Sequence, residues 1–109
     1  MLINFNELNE VTIPHLNDGD GEVSAKMFMK PETKIMISRL PKGASIGMHT
    51  HKTSSEVNYV LSGHGKAVCD SSEEILTSGC CQYCPKGSSH SIINTGDEDL
   101  VLFTVVPEQ

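Results

Sequence analysis

Two segments confine the ways in which this chain can fold: Gly43-x5-His49-Thr50-His51-x4-Glu56-x6-Gly63 and Gly79-x5-Pro85-x-Gly87-x2-His90-x3-Asn94. On an extended strand side chains alternate between faces, so His49 and His51 point the same way. Four residues then leave room for a turn before Glu56 returns on a neighbouring strand, and His90 opens a third strand much later in the chain. The three imidazoles and the carboxylate can meet only where strands wrap around a common interior. The glycines and Pro85 mark the bends that such wrapping needs, because Gly accepts positive φ and Pro presets φ in turns.

The rest of the chain has the same grammar. Apolar and polar residues alternate in short runs broken by Gly, Pro, Asp and Ser, the pattern of an all-β sandwich or barrel. Strands are expected at Glu22–Met29, Lys34–Leu40, Ile46–His51, Glu56–Ser62, Gly65–Asp70, Glu73–Leu76, Cys80–Cys84, His90–Asn94 and Leu100–Val106. Asn6–Glu10 carries a weak helical-turn signal. Leu100-Val101-Leu102-Phe103-Thr104-Val105-Val106 is apolar at both parities, so both of its faces should be covered. One would line the barrel. The other calls for a second sheet or a second subunit, and a homodimer is expected.

At 109 residues the chain fits one domain, 1–109, with an N-terminal arm and strands over 1–33 and the barrel core over 34–107. The net charge of −6 argues against a nucleic-acid partner, which wants a basic face. No run approaches the roughly 20 apolar residues of a membrane span. Met1-Leu2-Ile3-Asn4-Phe5 lacks the basic start and apolar stretch of a signal peptide, so a cytoplasmic location is expected. Cys81-x-x-Cys84 has the spacing of a redox pair or half a zinc site, but there is no second pair and no helix start. With Cys69 and Cys80, these read as small buried hydrophobes in a reducing compartment.

Neutral imidazoles and a carboxylate together accept one divalent transition metal: Fe, Mn, Ni, Zn, Cu or Co. Four such donors leave an octahedral ion two positions for water, a small-molecule ligand or dioxygen. A divalent ion with one carboxylate leaves a local charge of +1, an anion-attracting centre in an acidic protein. Binding needs unprotonated histidines, so affinity should fall through the His titration range.

The two segments resemble the two signature motifs of the cupin superfamily and match them at every fixed position. Tyr59-Val60-Leu61-x-Gly63 is also similar to the strand that follows the family's ligand glutamate. The likeness covers about residues 34 to 107. Cys80 departs from it, standing where many relatives carry Asp. The resemblance implies an RmlC-like double-stranded β-helix (jelly-roll) barrel, often dimeric, with His49, His51, Glu56 and His90 as metal ligands. It does not imply one reaction, since relatives include dioxygenases, decarboxylases, isomerases, lyases, sugar-binding domains and storage proteins.

Strand parity nominates neighbours of the site. Asn58, Val60 and Ser62 should point inward with Glu56; Ile92 and Asn94 should follow His90 inward. Asn58 could bond a metal-bound water or a substrate, whereas Asn94 also suits a turn cap. Gln82 and Cys84 share one strand face, Cys81 and Tyr83 the other, and the inner face is open. Arg39, the only arginine, would pair a substrate carboxylate if inward and form a rim ion pair if outward. His15 and His64 read as solvent-facing, and Met27, Met29, Met36 and Met48 as core filler. The leading functional expectation is a metal-dependent enzyme acting on a small oxygenated substrate by dioxygenase, isomerase or lyase chemistry. The alternative is a non-catalytic module that binds or senses a sugar or organic acid, and a third reading makes the metal structural.

Overall fold

A computed structural model describes residues 1–109. The strands are β1 Val11–Pro14, β2 Glu22–Lys30, β3 Thr33–Leu40, β4 Ser45–Thr50, β5 Glu56–Ser62, β6 His64–Cys69, β7 Ser72–Thr77, β8 Cys81–Cys84, β9 Ser89–Asn94 and β10 Leu100–Pro107. Single 3₁₀ turns lie at Phe5–Glu7 and Leu16–Asp18, and there is no α-helix. The strands form two antiparallel sheets, ordered β1-β2-β3-β10-β5-β8 and β4-β9-β6-β7. Facing one another, they make a double-stranded β-helix, the jelly roll.

Register divides the inner face of the larger sheet into rows. Leu40 lies opposite Leu100, and the next row runs Ala25, Ser38, Leu102, Val60. Leu40, Leu100, Leu102 and Val60, with Val23, meet Ala67, Leu76 and Ile92 of the smaller sheet in the apolar core. Each fully buried aliphatic side chain there contributes about 1.5–3 kcal/mol. The two remaining rows are different. One runs Met27, Met36, Thr104, Asn58, Gln82; the other begins Met29, Lys34, Val106 and continues to Glu56 and Cys84. Polar and flexible side chains replace aliphatic ones, so one end of the barrel is packed shut and the other holds a cavity.

The N-terminal segment contributes more than expected. Val11–Pro14 pairs with β2 as an edge strand, too short to stand out by periodicity and ended by a proline that edge strands tolerate. The turn after it then docks on β4. His15, Asn17 and Asp18 all adopt positive φ, at 50°, 52° and 64°, a conformation that costs such residues about 1 kcal/mol or more each. The turn is held by bonds from Asp20 N to Ser45 Oγ (2.8 Å) and from Ser45 N to Asp20 O (2.9 Å). Gly19 and Gly47 allow the close approach: a Cβ on Gly47 would collide with the Asn17 carbonyl, and one on Gly19 with that of Ser45.

Three expectations need correction. Ser62 is exposed, because the β10–β5 register shifts between Val101 and Leu102 and turns the end of β5 outward. The methionines do not fill the core: Met29 and Met48 are 57% and 53% exposed, while Met27 and Met36 line the cavity. Only a 3₁₀ turn at Phe5–Glu7 forms within Asn6–Glu10 and just before it. The apolar run of β10 does present two apolar faces. Leu100, Leu102, Thr104 and Val106 are buried inward, and Val101, Phe103 and Val105 are half-buried on the outside. Phe5 packs edge-on against Phe103, with ring centroids 6.4 Å apart. Gly47→Ala should destabilise the fold by about 2–3 kcal/mol through overpacking against the Leu16–Asp18 turn; a urea midpoint equal to that of the parent would show that the turn simply yields.

Candidate metal centre

His49 and His90 are direct cross-strand partners on β4 and β9, so the smaller sheet supplies two of the rings. His51 follows β4 by one residue, and Glu56 opens β5 on the larger sheet. The potential donor atoms of these four side chains all lie within 4.8 Å of one another. His51 Nε2 stands 3.0 Å from His90 Nε2, which stands 3.1 Å from His49 Nε2. The Glu56 oxygens lie 3.2 Å from His51 Nε2 and 3.3 Å from His90 Nε2.

The other ring nitrogens decide what those distances mean. His49 Nδ1 is 2.8 Å from the Gly47 carbonyl oxygen, which can only accept, so Nδ1 carries the hydrogen. His90 Nδ1 is 3.0 Å from Gln82 Oε1. The Gln82 amide is oriented by its Nε2, which donates to Glu74 Oε1 and to the Tyr83 carbonyl. His90 therefore also donates from Nδ1. In the neutral rings both Nε2 atoms are bare lone pairs facing each other, and that of His90 also faces the Glu56 carboxylate. Facing lone pairs repel, and a cation between them converts that repulsion into coordination. The donor set thus fits a divalent transition metal, borderline-soft nitrogen with one hard oxygen.

Glu56 is held from behind. Asn58 Nδ2 donates to Glu56 Oε2 at 2.7 Å, and the Thr104 hydroxyl donates to Asn58 Oδ1. His51 Nδ1 meets the Ser54 hydroxyl at 3.1 Å. No buried side-chain polar atom lacks a partner. Burial opposes ionisation of Glu56, yet the Asn58 bond and the His51 and His90 rings, which can each take up a proton beside it, outweigh that cost and leave the carboxyl well below its usual range. Burial foremost, against the opposing Gly47 bond, and then repulsion from any proton taken up by His90 or His51 hold His49 below the ordinary imidazole value.

His49, His51 and Glu56 form part of the wall of a cavity of about 340 Å³. Its other polar walls are Asn58, Thr104, Ser38, Asn17 and Lys34; Met27, Met29, Met36, Ile13 and Leu16 are among its apolar ones. Lys34 makes no ion pair. Of the residues nominated from sequence, Asn58 and Gln82 touch metal-cluster side chains directly. Arg39 does not reach the cavity: it points outward and pairs with Glu10 at 2.7 Å and Asp99 at 3.3 Å. That outward position follows from parity, since its neighbours Ser38 and Leu40 face in. Asn94 is a turn residue, donating to the Leu40 and Glu98 carbonyls and accepting from Gly96 N.

Ser54, Thr104, Lys34 and the Leu16–Asn17 turn escaped sequence reasoning. Thr104 had a signal, as the sole hydroxyl within an apolar strand at inward parity; the others had none. The cysteines contribute no ligand to the cluster. Cys84, beside Glu56 in the register, is fully buried, and burial pushes its thiol up to about 12.

Two outcomes are expected. Replacing Gln82 with Leu frees the His90 ring and should weaken divalent-metal binding by about 10- to 100-fold in a competition titration. Stability of the metal-free protein should decline as pH falls below about 6.5, the ordinary His value, because the unfolded chain then binds a proton that folded His49 resists. A second loss follows below about 4.5, where unfolded Glu56 protonates before folded Glu56 does. Urea midpoints from pH 8 to pH 4 test the sign; a flat profile contradicts it.

Comparison with known proteins fits this geometry. The cupin domain family model matches residues 36–106. An oxalate-binding protein of Thermotoga maritima is 30% identical over 97% of this chain and 93% of its own length. The crystal structure of a predicted oxalate decarboxylase from Thermotoga maritima superposes with a TM-score of 0.93 at 27% identity, over 100% of both chains. An RmlC-like cupin from Shewanella frigidimarina shares the fold, with a TM-score of 0.81 at 18% identity over 99% of this chain and 90% of that one. The chain belongs to the cupin family.

Proposed function

We propose that this protein, a single cupin domain over 1–109, holds one divalent transition metal on His49, His51, Glu56 and His90 and there binds a small carboxylic acid. The observation that carries this reading is the pair of bare Nε2 atoms of His49 and His90, 3.1 Å apart, beside a buried carboxylate. Bound there, a divalent ion supplies an electropositive centre for chelating oxygens. This chain's own residues do the rest. Gly47 O and Gln82 Oε1 fix the ring tautomers, Asn58 orients Glu56, and Lys34 adds an unpaired positive charge to the cavity wall. The Thermotoga maritima relative named for binding oxalate supports a dicarboxylate or 2-oxo acid as the ligand.

Turnover by dioxygenase, isomerase or lyase chemistry is the second reading, and the predicted oxalate decarboxylase among the structural relatives favours it. Binding is the better-supported one. Outside the four-residue cluster, Lys34 is the only titratable side chain on the cavity wall, so acid–base chemistry has a single proton carrier to draw on.

A homodimer belongs to the same reading. The outer face of the larger sheet carries Phe28, Ile35, Ile37, Val57, Val101, Phe103 and Val105 half-buried, with Tyr59, Leu61 and Tyr83 exposed beside them. A contiguous apolar face of this kind suits a self-complementary twofold contact. No helix is long and apolar enough to cross a membrane. The four unpaired cysteines support a reducing, cytoplasmic setting.

Calorimetry on Ni(II)-loaded protein should show oxalate binding near one per chain, lost in the His49→Ala, His51→Ala double variant and on chelation. Oxalate binding that survives metal removal would overturn the proposal; oxalate consumed with release of CO2 would promote the second reading. Sedimentation equilibrium at micromolar concentration should give twice the chain mass.

A further inference from the structure

We infer that the acid taken by this cavity carries an apolar body, lying against Met27, Met29 and Met36, behind its chelating head. The inference rests on the carboxylate-binding reading and adds the substrate class to it. Its first support is size. The cavity encloses about 340 Å³, within the range of about 300–1,000 Å³ typical of sites for larger organic ligands. A two-carbon diacid leaves most of that space unfilled.

The second support is how the walls are distributed. Register puts Met27 opposite Met36, and Met29 opposite Lys34. Lys34 faces Val106 on β10, and β10 pairs with β5, so β3 lies two strands and β2 three strands from Glu56. At about 4.8 Å per strand, Met36 stands about 10 Å, and Met27 and Met29 about 14 Å, from the backbone of the carboxylate donor. Asn58 and Thr104 stand on β5 and the adjacent β10, whereas the wall formed by β2 and β3 carries Met27, Met29 and Met36 together with Ser38 and Lys34. A ligand matching both walls chelates at one end and is largely apolar where it meets the three methionines. Methionine is also the residue that adapts best to ligands of irregular shape, being unbranched and polarisable. Lys34, at the mouth and unpaired, draws in the anionic head without specifying the body.

The third support is exposure. Met29 is 57% exposed although its parity faces inward. An inward apolar side chain left uncovered in this way is one that an apolar occupant would cover.

The test is a homologous series with one chelating head: pyruvate, 2-oxobutanoate, 2-oxopentanoate and 2-oxohexanoate, titrated calorimetrically into Ni(II)-loaded protein with oxalate as reference. Kd should fall about two- to fourfold for each added methylene, the value of burying one such group. Met29→Gln and Met27→Gln should flatten that trend relative to oxalate; the exposed Met29 site carries little risk to folding. A flat or rising Kd along the series, with oxalate still binding, sinks the apolar-body inference alone. A trend that persists unchanged in both variants removes the methionine wall as its cause and sinks it too. Failure of oxalate and every 2-oxo acid to bind overturns the carboxylate-binding reading beneath it.

Discussion

Two imidazole nitrogens with bare lone pairs stand 3.1 Å apart in a protein interior, and the rest of the structure depends on holding them there. Left free, the rings would turn or take up protons. They are prevented from turning by what their other nitrogens touch, a backbone carbonyl at Gly47 and the Gln82 amide. Gln82 is itself tied to Glu74 and the Tyr83 carbonyl, and Glu56 to Asn58 and Thr104. The donors are thus oriented in advance, which spares the cost of ordering them when a cation arrives.

The strands that build this polar end also build the core. Along β10, Leu100 and Leu102 lie in the packed half, and Thr104 and Val106 in the half with the cavity. Along β5, Val60 is core, whereas Asn58 and Glu56 are site. Each strand is anchored by aliphatic burial at one end, so the other end can carry groups that would not hold the fold together alone. The rigidity of the site is borrowed from the core through the strand backbone, with neighbouring strands about 4.8 Å apart.

The Leu16–Asp18 turn joins these two halves from outside the barrel. With His15, which precedes it, the turn accepts three residues at positive φ, and strain of that kind persists only where the surroundings over-determine it. Here the surroundings are the Gly19–Gly47 contact and the paired bonds between Asp20 and Ser45. Gly47 serves twice, since its missing side chain admits the turn and its carbonyl sets the His49 tautomer. The closure of the cavity and the orientation of one candidate ligand therefore share a residue.

The amino-acid sequence by itself determined the all-β architecture, nearly all the strands, and the convergence of His49, His51, Glu56 and His90. Period-two alternation and turn residues are local signals, and the ligand spacing admits one kind of wrapping. Local signals end where a side chain's partner comes from elsewhere in the chain. Parity allowed Arg39 either face, and only the packed sheet sent it to Glu10 and Asp99. It allowed Gln82 either face too, and the fold turned it to His90. The methionines read as core because their chemistry suits a core, yet register placed three of them around a cavity. Composition specifies what a side chain can do, while the distance between strands remote in sequence decides which of those things it does; that distance exists only once the two sheets have closed on each other.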